Sequence, residues 1–194
     1  MPLSPAQPRE PLHTRTVVCK GYLRDDGLWD IEGHLTDVKS YGFENAHRGA
    51  VNAGTPVHDM WIRLTVDDDL YVHDVEAVTD ASPYSVCPAI TSNFERLKGL
   101  TIGPGWRKQI HSRVGGVHGC THLVELLGPV ATTAYQTIFS AKARQRREAK
   151  TEEISEEAEM KAADTRPRLL NTCHAFNDTG PVVKRYWPDF YRGE

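Results

Sequence analysis

Residues 58–79, HDMWIRLTVDDDLYVHDVEAVT, decide the fold. Met60, Ile62, Leu64 and Val66 alternate with polar or amphipathic residues, a period of two that lines one face of a strand. Asp67-Asp68-Asp69 reads as a turn, and Leu70, Val72, Val75 and Ala77 supply the apolar face of a returning strand. The pair predicts an antiparallel hairpin. The phase of the apolar residues shifts near His73-Asp74, which predicts a bulge.

Working toward the N-terminus, residues 22–38 (YLRDDGLWDIEGHLTDV) contain an Asp26-Gly27 turn and then Trp29, Ile31, Leu35 and Val38 with polar residues between. This predicts a second hairpin with one buried face, preceded by residues 14–18, which read as extended and lead into Gly21. Residues 40–55 are glycine-rich and polar and read as a loop carrying an exposed Arg48. Residues 1–13 hold Pro2, Pro5, Pro8 and Pro11 and read as a disordered arm. Toward the C-terminus the period changes. Val86, Ile90, Phe94 and Leu97 recur at helical spacing after Ser82-Pro83-Tyr84, and Gly99 ends the segment. A short helix through Trp106, Ile110 and Val114 follows. A long helix then opens at Cys120, with Thr121 as its cap and Pro129 as a kink, and runs through Ile138 toward Ala149.

Strands first and helices after predict an α+β fold: a small antiparallel sheet with helices packed on one face. The domain boundaries read as 14–140 for the core, 141–167 for a charged helix extension and acidic linker, and 168–194 for an aromatic tail docking on the core.

The chain has 194 residues, a net charge of -3 and a pI near 6.3, so no basic field invites nucleic acid. No apolar run is long enough to span a membrane, and the N-terminus lacks a secretory signal, which predicts a cytoplasmic protein. Phosphate-cradling and dinucleotide-binding glycine motifs are absent, as are HExxH and paired CxxC. What stands out is nine histidines beside four cysteines.

The densest cluster is His118-Gly119-Cys120-Thr121-His122-Leu123-Val124-Glu125. A thiol at a helix start is favoured as thiolate, and His122 and Glu125 share a helix face. His58, at a strand start, is a candidate acid/base group because imidazole titrates near neutrality. Cys120 and Glu125 join His58 and His122 as catalytic candidates. Arg48, Asp59, Tyr84 and Trp29 are candidates for binding a small-molecule substrate, and Asp30 and Asp37 are further polar candidates in the N-terminal half. The alternative is a metal site of Cys87, Cys120, His122 and Cys173, whose thiolate and imidazole ligands suit zinc or iron. His13, His47, His73 and His111 read as surface residues.

Several stretches resemble a bacterial family catalogued as domain of unknown function 2889. They are residues 24–30 (RDDGLWD), 56–60 (PVHDM), 97–103 (LKGLTIG) and 119–127 (GCTHLVELL), together with the tail from Cys173-His174 to Trp187-Pro188. The resemblance implies a setting in aromatic-compound breakdown. A further resemblance, in the order of hairpin, Cys87, short helix and Cys120 helix, is to iron–sulfur scaffold proteins of the NifU/IscU type, with His111 where a middle cysteine would stand. It implies a shared fold.

Three readings follow. The first is a cofactor-independent lyase or hydrolase acting on a small aromatic or acyl compound by histidine acid/base chemistry. The second is a metal or iron–sulfur carrier. The third is a non-catalytic partner-binding module acting through residues 141–167. A homo-oligomer is compatible with each. The single geometric expectation they share is that the strand start at His58 and the helix start at Cys120 face one pocket.

Overall fold

The computed structural model describes residues 3–149, 166–167 and 169–194. They fall into two compact units, Met1–Ser140 and Ala141–Glu194.

The first unit is built on a four-stranded antiparallel sheet. Its strands are β1 (His13–Leu23), β2 (Trp29–Lys39), β5 (Pro56–Val66) and β6 (Val72–Ala81), in the order β1-β2-β5-β6. The β1–β2 turn forms at Asp26-Gly27 as expected: the Asp26 carboxylate accepts the Leu28 amide, and Gly27 takes φ 85°, a left-handed value that suits glycine. The bulge also falls where the phase shift put it. Thr65 pairs with Asp74 but Val66 pairs with Val72, so His73 is the extra residue.

Two elements differ from the sequence reading. Residues 40–55 are not only loop but carry a short hairpin, β3 (Phe43–Asn45) and β4 (Gly49–Val51). Three-residue strands are too short to show a period. The turn is made locally, by the Asn45 side chain accepting the amides of His47 and Arg48. The segment Cys87–Leu97 winds as 3-10 turns rather than as an α-helix. Pro88 offers no N–H, and the Thr91 hydroxyl donates to the Pro88 carbonyl, so local side-chain bonding competes with the wider helix. Its Phe94 and Leu97 are nonetheless fully buried.

Helix α1 (Trp106–Val114) and the long helix α2 (Thr121–Ala149) complete the layer. Trp29, Ile31, Leu35, Met60, Ile62 and Leu64 of the sheet's inner face are buried, as are Leu123, Leu126, Leu127 and Val130 of α2. α2 packs tightly on β2 at Gly33, where a Cβ would meet Val130 Cγ2 at 2.6 Å and Leu126 Cγ at 2.9 Å. A small residue at the centre of β2 is therefore what lets α2 lie down on the sheet. Pro129 sits inside α2 without ending it; it cannot donate to the Glu125 carbonyl. None of the helices among the described residues is long and apolar enough to cross a membrane.

In the second unit, Asn171 and Asp178 clasp a loop. Asn171 Nδ2 donates to Asp178 Oδ2 at 2.9 Å, and the Asp178 amide donates back to Asn171 Oδ1 at 2.9 Å. A short helix α3 (Pro181–Tyr186) follows, and the Phe176 and Trp187 rings pack 5.2 Å apart. The acidic run expected as a linker lies at residues 150–165, outside the described residues.

Candidate functional site

Antiparallel pairing puts Arg15 of β1 opposite Asp37 of β2, and Asp37 opposite His58 of β5. Because side chains alternate across a strand, all three point to the inner face, in the row beyond Leu35 and Met60. This row lies at the end of the sheet where β1 begins, β2 ends and β5 begins. The first turn of α2 arrives over it. The sharp entry to α2 depends on Gly119, where a Cβ would collide with the Val114 carbonyl oxygen. Cys120, not Thr121, is the capping residue: its carbonyl accepts the Val124 amide at 2.9 Å.

Asp37 is the centre. Its side chain is 1% exposed. Oδ1 accepts Arg15 Nε at 2.8 Å and His13 Nε2 at 3.0 Å. Oδ2 accepts Arg15 Nη2 at 2.9 Å and His58 Nδ1 at 3.0 Å. Burial works to raise the pKa of this carboxyl, but the hydrogen bonds from Arg15 and His13 and the Arg15 charge outweigh it and hold it at about 2. Asp37 is therefore an anion at neutral pH and can only accept. It follows that His58 Nδ1 carries the proton and His58 Nε2 carries the lone pair.

His122 reaches in from α2. Its ring lies against that of His58, with centroids 3.8 Å apart and planes 32° from parallel. His122 Nε2 is 3.9 Å from Asp37 Oδ2, too far for a hydrogen bond, and its Nδ1 is 3.9 Å from Cys120 Sγ. Cys120 Sγ in turn touches Met60 Sδ at 3.7 Å. Both imidazoles titrate below their ordinary value. For His58 burial is the main cause and His122 the next, with Asp37 opposing; for His122 burial leads, followed by the Arg15 charge. Two imidazolium rings in contact would repel, so charging one ring disfavours charging the other. Glu125, one helical turn beyond His122, takes the remaining arm of Arg15: Oε2 accepts Nη1 at 2.8 Å.

The structure thus brings together four sequence candidates, His58, Cys120, His122 and Glu125, around three residues the sequence did not single out as a set: His13, Arg15 and Asp37. The other candidates lie elsewhere. Asp59 points to the opposite face of the sheet, where it bonds His34 Nε2 at 2.7 Å and His34 stacks on Trp61. Trp29 is buried at the far end of β2, its indole donating to Asp68. Arg48 is spent on backbone, donating to the carbonyls of Pro56 and Val57. Tyr84 is exposed, edge-on to His47. Of the expected thiol ligands, Cys87 starts the 3-10 segment and Cys173 belongs to the second unit, where it is exposed. The group with metal-ligand geometry among the described residues is instead Asp37, His58 and His122, whose ligand atoms lie within 4.8 Å of one another.

The chain belongs to the family described as protein of unknown function (DUF2889), whose model matches residues 13–136. That span includes every residue of the cluster, from His13 to Glu125. No curated protein and no solved structure matches the chain.

Proposed function

We propose that this member of the DUF2889 family is a cofactor-independent enzyme, a lyase or hydrolase of a small aromatic or acyl compound, in which His58 is the general base. The observation that carries the reading is the Asp37–His58 hydrogen bond, made by a carboxylate that is buried and ionised. Such a partner fixes the imidazole tautomer and ring orientation and stabilises the imidazolium that forms when the base takes a proton. His58 Nε2 removes a proton from the substrate or from an attacking water. His122, in ring contact with His58, is placed to take up the proton that His58 has removed and pass it to the leaving group, which leaves both rings neutral again. Burial keeps both rings neutral near pH 7, the state a base must start from. Cys120 and Met60 close the site on its apolar side.

Turnover of a panel of aryl and acyl substrates by the wild type, His58→Ala and His122→Ala tests this. Both variants should lose about 10²–10⁴-fold, the usual contribution of a positioned acid or base. Folded variants that keep wild-type turnover sink the assignment.

A second reading is favoured by one observation: Asp37, His58 and His122 offer two imidazoles and a carboxylate at ligand spacing. This set suits zinc or iron. Against it, Arg15 already occupies both Asp37 oxygens and brings a positive charge to the same place. Elemental analysis separates the two: about one zinc or iron per chain, lost in His122→Ala, supports the metal reading over the acid/base one.

A further inference from the structure

We propose that the substrate carries a carboxylate and binds the Arg15 guanidinium in the place now held by the Glu125 side chain. This rests on the acid/base reading of the site and names the substrate class it serves.

Arg15 is held with unusual definiteness for a residue on an edge strand. Its Nε and Nη2 are both fixed on the buried Asp37, which sets the plane and direction of the guanidinium. The remaining arm, Nη1, points away from Asp37 and is met by a single oxygen of Glu125. The two pairs are unlike. Asp37 is 1% exposed, whereas Glu125 is 56% exposed and Arg15 38%. An ion pair this open to water is weak and readily exchanged. Another carboxylate can therefore take Nη1 without disturbing the Asp37 fork.

The position suits a substrate. His122 and Glu125 are three residues apart on α2, so they share one face, and His122 is in ring contact with His58. An acid anchored at Nη1 is thus held beside both imidazoles. Glu125 is the one residue of the cluster that also lines a broad groove of about 1300 Å³ between α1 and α2, whose other ionisable walls are Arg107, Lys108 and His111. A groove with cationic walls concentrates anions, and Glu125 is the single acid in its lining. Arg48, expected from the sequence to bind the substrate, is committed to the Pro56 and Val57 carbonyls.

Benzoate is the probe, with benzamide as its neutral counterpart. Binding is followed by chemical shifts of the His58 and His122 rings at constant ionic strength. Wild type should bind benzoate saturably and benzamide not at all. Glu125→Gln, which removes the competing carboxylate but keeps an exposed polar side chain, should tighten benzoate by about fivefold, the scale of one exposed ion pair. Arg15→Lys should weaken it at least about tenfold, because an ammonium cannot hold Asp37 and a ligand in one plane. The proposal is overturned if Glu125→Gln binds benzoate no better than wild type, if benzamide binds equally well, or if benzoate leaves both rings unshifted in both proteins. The Glu125→Gln comparison decides even if Arg15→Lys does not fold. No turnover is read here, so a failure of the substrate class is distinct from a failure of the base: His58→Ala can abolish turnover while the benzoate result goes either way.

Discussion

At the scale of single residues the account turns on Asp37. A buried carboxylate with four hydrogen bonds is stable as an anion only while its partners are present. Asp37→Ala leaves Arg15 and two histidines without this acceptor; because Arg15 and His13 are partly exposed and Arg15 keeps Glu125, it should cost about 1–3 kcal/mol in chemical denaturation. The pH dependence has a definite sign. The carboxyl pKa falls from 3.8 to about 2 on folding, so it contributes roughly 2 kcal/mol of stability that is present above pH 3.8 and lost as pH falls toward 2. His58 and His122 are also depressed on folding, below 6.5. Their contribution is present above that value and is lost as pH falls through it. Acid titration of stability should therefore show an earlier decline beginning near pH 6.5 that flattens in His58→Ala, and a later one due to Asp37. His58 and His122 were legible from their motifs, PVHDM and GCTHL. Asp37, a polar candidate from the sequence, carries a further signal in its position: it continues the inward positions Trp29, Ile31, Gly33 and Leu35, so a charge stands where an apolar residue is due. His13 and Arg15 carried none, because their role depends on the register of β1 against β2, which no local pattern states.

At the scale of elements, the site exists because α2 lies close enough to β2 for His122 to reach Asp37. Gly33 sets that distance. Gly33→Ala would press a methyl into Val130 and Leu126, lift α2 and separate His122 from His58. The expected cost is about 1–3 kcal/mol in denaturant unfolding, from overpacking, accompanied by loss of turnover. An unchanged midpoint contradicts the packing argument. The two hairpins, the His73 bulge and the long helix were readable because each spans several periods of its pattern. The β3–β4 hairpin and the 3-10 winding of Cys87–Leu97 were not. One has three-residue strands, too short to repeat a period of two, and the other is decided by local hydrogen bonds at Pro88 and Thr91 rather than by the spacing of its apolar residues.

At the scale of the whole first unit, the sheet has two characters. Its inner face holds the core and ends in the polar row Arg15–Asp37–His58. Its outer face carries ion pairs such as Glu32–Arg63–Glu76, with Arg63 at 2.7 Å from each acid. These are exposed, so Arg63→Ala should change stability by less than about 1 kcal/mol, in contrast to Asp37→Ala. The α+β order was visible from strands preceding helices. The convergence of four element ends on one carboxylate was not, since it follows from how β1, β2, β5 and α2 are stacked. That convergence makes the protonation state of His58 the most direct test. Long-range ¹⁵N correlation spectra of the histidine rings, recorded across a pH titration, report tautomer and midpoint together. The account predicts that neutral His58 carries its proton on Nδ1 and titrates below 6.5. A proton on Nε2, or a midpoint at or above 6.5, would contradict it.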